Sequence, residues 1–335
     1  MADRPSWRDL AELVRAPAAL SVPGDAVAGA AAAGTLRPAT LGLIAASVCL
    51  YWGGMAANDW ADRELDARER PERPIPSGRI SPGQAVTVAA GLTAAGLALA
   101  VATGGRRAAA FALPLAGAVW AYDLRAKGTR AGPATMAACR GLDVLLGACG
   151  GRSAPPGAGG AVASAVPAAL TVAAHTYMVT TLSRHEVSGT SRTLPALTLA
   201  GTLATAATTT PAPGATRATH QGSATAPEHE VGVAAFLSRW AGVAAGIGRR
   251  VGSSGGPGVA GVLAAGYAVR YGAAQVRALV DPSPERVRGA VSAGITQLPL
   301  LQGALAARAG APVAGLSVAA AAFLARRLAR KVSPT

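Results

Sequence analysis

Charge is scarce in this chain: Asp, Glu, Lys and Arg make up 14% of its 335 residues, where a soluble domain carries about 25%. Aromatic residues make up 4%, and there are three cysteines. So few cysteines in so long a chain exclude a disulfide-built scaffold. Cys49, Cys139 and Cys149 lie in apolar runs without a CxxC pair, which argues against zinc and leaves them as buried thiols. Lysine occurs twice and asparagine once. In their place stand 51% hydrophobic residues and a mean hydropathy of +0.34. That composition excludes intrinsic disorder. Long apolar stretches between short polar ones predict an all-α fold, a polytopic transmembrane helical bundle embedded in a lipid bilayer.

The scarce charge is also unbalanced, with 31 Lys and Arg against 17 Asp and Glu, a net charge of +14. The arginines stand singly or in pairs at the ends of apolar segments. Anionic headgroups and the positive-inside bias account for that placement. No basic patch interleaved with aromatics is present, so nucleic acid is not an expected partner.

Apolar runs cover roughly 17–34, 38–57, 83–103, 108–122, 132–150, 161–182, 193–209, 232–248, 258–275, 286–307 and 312–328. At about 20 residues per span they predict about nine spans, with 232–248, which contains Arg239, lying at the interface or extending a neighbour. The first run follows Arg4, Arg8 and Arg15 and lacks a cleavage site, so it reads as a retained helix. Arginine accumulates at 59–81, 123–131 and 183–192, against Arg37, Arg106, Arg107 and Arg152 in the intervening loops. This bias puts the N-terminus and those three loops in the cytoplasm. The whole of 1–335 reads as a single membrane domain, with 208–231 a Thr/Pro/Ala-rich loop insertion. Its Glu228-His229-Glu230 cluster has metal-ligand chemistry but reads first as a solvated loop. Gly157–Gly160 follows no strand and is no dinucleotide fingerprint. Gly242-xxx-Gly246 fits helix packing.

One stretch departs from this background. Asn58-Asp59-Trp60-Ala61-Asp62-Arg63-Glu64-Leu65-Asp66 holds the only asparagine, and six of the 17 acids fall between Asp59 and Glu72. If the second helix continues past its membrane end, Asn58, Asp62 and Asp66 recur at i, i+4 and i+8 as one stripe, with Asp59 beside it. Carboxylates so spaced repel one another unless a cation sits among them. Hard oxygen donors with room for water suit Mg²⁺ shared with substrate phosphates. The following arginines, Arg70 and Arg73 first among them, are placed for remaining phosphate oxygens.

This segment resembles the NDxxDxxxD motif of the UbiA superfamily of intramembrane prenyltransferases, and Glu69-Arg70-Pro71-Glu72-Arg73-Pro74-Ile75-Pro76-Ser77-Gly78-Arg79 is similar to that family's continuation. The resemblance implies a helical bundle around a central cavity open laterally to lipid. It also implies Mg²⁺-dependent transfer of a prenyl group from a polyprenyl diphosphate donor to a small-molecule acceptor, often an aromatic ring. A second match, Tyr122-Asp123-Leu124-Arg125-Ala126-Lys127, resembles the family's Tyr-then-Lys segment, which implies diphosphate contacts by Tyr122 and Lys127. Lys127 is the one lysine outside the C-terminal tail. The expected metal ligands are thus Asn58, Asp59, Asp62 and Asp66. Asp62, Asp66 and Lys127 carry catalysis, and Asn58, Tyr122, Arg70 and Arg73 hold the diphosphate.

The chain departs from the family at the loop after the sixth helix. There Leu182-Ser183-Arg184-His185-Glu186-Val187-Ser188 lacks the second DxxxD, and Glu186 is the only acid between Asp143 and Glu228. Two readings stand: His185 and Glu186 retain a metal or phosphate-bound water, or the loop keeps only a structural role. Within the spans, Asp25, Arg140 and Asp143 are costly facing lipid and belong inside the bundle as cavity candidates. Arg140 and Asp143, at i and i+3, are placed to neutralise each other, whereas Asp25 has no local partner. His175 reads as a hydrogen-bonded core histidine. The alternative to an enzyme is a non-catalytic relative that binds or moves an isoprenoid or metabolite. CDP-alcohol phosphotransferases are excluded by the missing DGxxAR opening, and soluble isoprenyl synthases by the number of apolar runs.

Overall fold

The computed structural model describes residues 5–150, 159–209 and 258–321. The insertion beyond Thr209, the run at 232–248, Glu228–Glu230, Gly242, Gly246, Arg152, Gly157 and everything after Ala321 lie outside the described residues. Every regular element among the described residues is helical. A short α1 (Trp7–Leu13) and a 3₁₀ turn (Ala16–Ser21) lead into α2 (Val22–Ala32), α3 (Ala39–Ala61) and α4 (Arg63–Glu69). Then come α5 (Pro82–Ala121), a π-helical turn (Tyr122–Ala126), α6 (Gly132–Gly147) and α7 (Gly159–Ser183). The chain continues with α8 (Thr193–Thr209), α9 (Val259–Val280), α10 (Pro284–Arg308) and α11 (Pro312–Ala321).

Local sequence explains where these helices start and stop. Ser81 and Gln84 form a reciprocal capping box, with the Gln84 amide donating to Ser81 Oγ at 3.2 Å and the Ser81 amide to Gln84 Oε1 at 2.8 Å. Pro82 supplies the fixed φ suited to a first helical position. The run of helical residues in α5 is two legs, not one rod. Gly105 breaks it in the left-handed region at φ 64°, where only glycine is unstrained. Trp120 Nε1 donates to Thr93 Oγ1 at 3.1 Å, although 27 residues of continuous helix would separate them by about 40 Å. The separate runs at 83–103 and 108–122 are therefore two legs folded back on each other.

Among the described residues, four helices are long and apolar enough to cross a bilayer: Ala39–Ala61, the doubled Pro82–Ala126, Gly160–Ser183 and Pro284–Arg308. The other apolar runs among the described residues form α2, α6, α8, α9 and α11, which fall short in length or hydropathy; α9 carries Arg270, Gln275 and Arg277. Polarity is arranged as a bilayer demands. Leu41, Leu113, Leu170, Val269 and Ile295 point outward, while Ala28, Ala46, Ala100, Ala169 and Ala290 are buried. Small residues inside let backbones approach closely, since hydrophobicity alone does not draw helices together in lipid.

That closeness is greatest between α2 and α6. A Cβ on Gly147 would sit 2.4 Å from Ala26 Cα, and one on Gly29 would sit 1.8 Å from the Val144 carbonyl oxygen. Both obstacles are backbone, so neither can swing aside. Gly147→Ala is expected to destabilise the bundle by about 1–3 kcal/mol, measured as thermal unfolding in detergent. A melting temperature equal to wild type would show that the two helices do not depend on this contact. α2 also packs on α3, α7 and α10 and closes the bundle.

One end of the bundle collects the polar loops. Arg79 bridges Asp9 at 2.6 Å and Glu12 at 2.7 Å, tying α1 to the segment after α4. The hydrogen bond from Ser6 and then Arg79 hold the Asp9 carboxyl below the ordinary carboxylate range. Arg184 donates to the Thr129 carbonyl, and the Thr190 amide donates to the Pro282 carbonyl at 3.1 Å. The N-terminal helix and all three Arg-bearing loops share this end.

Candidate active site

The acid-rich stretch lies where α3 gives way to α4. Asp62 is the joint, at φ −89° and ψ 1°, and the helical hydrogen bonds run through it. Its amide donates to the Asn58 carbonyl at 2.9 Å, and the Asp66 amide donates to the Asp62 carbonyl at 2.8 Å. The i, i+4, i+8 register is thus present in the backbone, but the side chains do not form the single stripe that it suggests. They divide into two groups. Asp59 and Asp66 are buried together and share Arg73, which lies 2.6 Å from Asp66 and 3.5 Å from Asp59. Arg15 closes on Asp59 at 2.6 Å, and exposed Arg70 stands 3.7 Å from Asp66. Asn58 and Asp62 turn the other way, toward the end of α5. The cause is electrostatic. A buried carboxylate without a partner is costly, and the two most deeply placed acids take the nearest guanidinium groups.

The facing segment is the π-helical turn, in which the Lys127 amide donates to the Tyr122 carbonyl at 3.0 Å. Such turns re-aim side chains and recur at functional sites. Here Lys127 Nζ meets Asp62 Oδ1 at 2.5 Å, with both side chains about a quarter exposed. Asn58 Nδ2 donates to Asp123 Oδ1 at 3.3 Å. The two segments singled out in the sequence, 65 residues apart, therefore meet through two side-chain pairs. Asp123 is a buried carboxylate absent from the sequence-derived candidate residues. Its signal was an acid inside the matched Tyr122–Lys127 segment.

Behind this meeting point lies a small cavity that opens in part to the surroundings. Its wall is mostly apolar, with Leu50, Met55, Leu115, Val119 and Met136 among the contributors. Tyr122 and Asp123 stand on its wall beside the Asn58 pair, and a further polar group of Ser47, Arg140 and Asp143 also faces it. Arg140 and Asp143 make no direct ion pair of the kind their spacing suggests, although they lie within electrostatic reach of each other. Arg140 Nε lies 2.8 Å from Asp25 Oδ2, while Ser47 Oγ donates to Asp143. Asp25, fully enclosed, also accepts from Gln302 Nε2 at 2.6 Å. Arg140 projects toward α2 rather than along its own helix, and that direction decides the pairing. His175 is buried between Tyr267 Oη at 2.7 Å and the Gly294 carbonyl at 3.2 Å, as expected of a core histidine.

The loop after α7 is placed differently. His185 and Glu186 lie in a turn at the same end of the bundle, but neither joins the α3 carboxylates. Arg288 reaches the Glu186 carbonyl at 3.5 Å, and burial raises the Glu186 carboxyl above its usual range, opposed by Arg288. Arg79 is engaged with α1 and is not turned to the carboxylates.

The donor chemistry at the end of α3 fits a hard divalent ion: several carboxylates and one amide oxygen held on one short segment. Among the described residues no three His, Cys, Asp or Glu side chains converge as a ready cage. Each acid is turned instead to a basic partner, so an ion would compete with Lys127 for Asp62.

Comparison with known proteins accords with this geometry. Residues 21–215 match the model of the UbiA prenyltransferase family. The chain is 41% identical over 110 residues to digeranylgeranylglyceryl phosphate synthase of Methanopyrus kandleri, covering 32% of this chain and 38% of that protein. It is 38% identical over 78 residues to chloroplastic chlorophyll synthase of Oryza sativa subsp. japonica, covering 21% of each. The matched stretches thus span well under half of these relatives. A solved apo structure of a UbiA homolog from Aeropyrum pernix K1 aligns with TM-score 0.58 at 18% identity, over 86% of this chain and 96% of the other. That alignment shows a shared fold. With the family model matched over more than half its length, the chain belongs to the UbiA prenyltransferase family.

Proposed function

We propose that this chain is an intramembrane prenyltransferase that moves a prenyl group from a polyprenyl diphosphate to a small acceptor, with Mg²⁺ as cofactor. The observation that carries the proposal is the meeting of Asn58 and Asp62 with Asp123 and Lys127 beside an apolar cavity. In this reading about nine spans surround the cavity, and the loop-bearing end faces the cytoplasm. The relatives' names, digeranylgeranylglyceryl phosphate synthase and chlorophyll synthase, accord with transfer of a long isoprenoid.

The residues divide the work by position. Lys127 carries a positive charge to the mouth, where a leaving diphosphate develops negative charge; fixed charge in a water-poor site stabilises it strongly. Tyr122 and the exposed Arg70 offer further donors to phosphate oxygens. Arg73 holds Asp59 and Asp66 in place. Asn58 and Asp62 would hold Mg²⁺, Asp59 and Asp66 being engaged by Arg15 and Arg73 on the other side, and the bound ion would supply Lewis-acid neutralisation of the diphosphate. The apolar wall of Leu50, Leu115 and Val119 excludes water that would quench an allylic cation.

The second reading, a non-catalytic isoprenoid-binding component, is favoured by one observation: Glu186 does not join the carboxylates at the end of α3. Membranes bearing the protein, incubated with labelled geranyl, farnesyl and geranylgeranyl diphosphates, separate the two. The enzyme releases inorganic diphosphate and yields a prenylated product by mass spectrometry. Saturable donor binding with no release from any of the three supports the second reading and overturns the first.

A further inference from the structure

The inner polar group of the cavity has no part in holding a diphosphate, yet it is built from charges that are expensive to bury. Two carboxylates and one guanidinium lie in electrostatic reach of one another: Asp25, Asp143 and Arg140. Their pairing is unequal. Asp25 is enclosed and takes Arg140 Nε at 2.8 Å together with Gln302 Nε2 at 2.6 Å. Arg140 Nη2 is directed to the Ser21 carbonyl at 3.1 Å. The guanidinium charge is thus matched by Asp25, and Asp143 is the surplus acid. Asp143 faces the cavity, and its contact is with the neutral Ser47 hydroxyl. Asp123 adds a second carboxylate to the same wall. An anionic molecule entering this space meets two acids and a cation already engaged.

We propose that the inner end of the cavity binds an uncharged, hydroxyl-bearing acceptor whose O–H donates to Asp143, and that Asp143 takes the acceptor's proton. This rests on the prenyltransferase reading. In the step, the allylic C–O bond of the donor breaks and its electron pair leaves with the diphosphate. A lone pair on the acceptor oxygen forms the new C–O bond, and the hydroxyl proton passes to an Asp143 carboxylate oxygen. Protonation leaves Asp25 and Arg140 as a matched pair, so the buried group passes from one excess negative charge to none. In a medium that penalises uncompensated charge, that change favours proton capture. Ser47 is a positioning residue that holds the Asp143 carboxylate toward the space.

The test uses matched acceptor pairs with the purified full-length protein in lipid nanodiscs: a hydroxymethylphenol against the corresponding carboxyphenol, and an alkylglycerol against its phosphate monoester. Equilibrium binding is measured without donor, and turnover with each of the three prenyl diphosphates. The neutral member of each pair is expected to bind at least tenfold more tightly and, where turnover occurs, to form an ether. Asp143→Asn, nearly isosteric, is expected to lower kcat for transfer about a hundredfold or more, with the KM for donor within twofold. Tighter binding of the anionic members, or an unchanged kcat in Asp143→Asn, overturns the inference even if prenyl transfer is robust. Neutral preference in binding with no turnover on any donor overturns the enzyme reading and the proton step, but keeps the acceptor assignment. The binding comparison needs only the wild-type protein, so misfolding of the variant does not protect the proposal.

Discussion

Asp62→Ala is expected to lower diphosphate release by about a thousandfold while leaving the amount of folded protein in the membrane unchanged. Both halves of that outcome follow from where Asp62 sits. It stands at the joint between α3 and α4, its side chain a quarter exposed, outside the packed core, so truncation opens no cavity and strands no buried acid. Its backbone hydrogen bonds to Asn58 and Asp66 persist in alanine. What disappears is the carboxylate that joins the α3 end to Lys127 at 2.5 Å. Loss of one preorganised electrostatic group in such a site costs about 10²–10³ in turnover, and loss of a metal ligand adds to that. Asp62→Asn separates charge from shape, because it keeps one oxygen and the volume; recovery of no more than a few per cent of activity is expected. Release at the wild-type rate from Asp62→Ala, at equal protein level by quantitative blotting, would remove Asp62 from the mechanism.

The largest expected effect on stability belongs to the Asp25–Arg140 pair. Arg140→Met leaves Asp25 fully enclosed with Gln302 as its remaining polar partner. Breaking a buried ion pair on one side costs about 3–5 kcal/mol, because the surviving charge is stranded. Adding Asp25→Asn should restore most of the loss. The amide keeps a contact for Gln302, and Gln302 continues to donate to the Ser21 carbonyl at 2.9 Å, which also receives Arg140. The double-mutant cycle, read as thermal unfolding in detergent, is expected to show a coupling of at least about 2 kcal/mol. Simple additivity of the two substitutions would show that the pair does not act as a unit.

Much of this arrangement is legible in the sequence. The lone asparagine, the crowding of acids after it and the isolated Lys127 identified the two segments that meet. The pair Arg106-Arg107 marked the reversal that Gly105 makes. What sequence periodicity conceals is which helix a side chain faces. Spacing put Arg140 beside Asp143, and both do lie on α6, yet Arg140 is spent on Asp25 from α2. Spacing likewise aligned Asn58, Asp62 and Asp66, but Arg15 and Arg73 draw Asp59 and Asp66 together on a separate side. The helical register fixes neighbours along one helix, whereas partners across helices are chosen by burial cost and by which cation is near. Spacing does not distinguish Asp123 for the same reason: its importance comes from burial against Asn58, a contact 65 residues distant.

The unequal ages of the partners around Asp25 bear on how the protein is made. Translation at roughly 5–20 residues per second brings Arg140 out of the ribosome many seconds after Asp25. Gln302, 277 positions after Asp25, follows after a still longer wait. Until Arg140 has arrived, the acid on α2 has no charged counterpart in the lipid interior. The ion pair that joins α2 to α6 can therefore form only after α6 has been made.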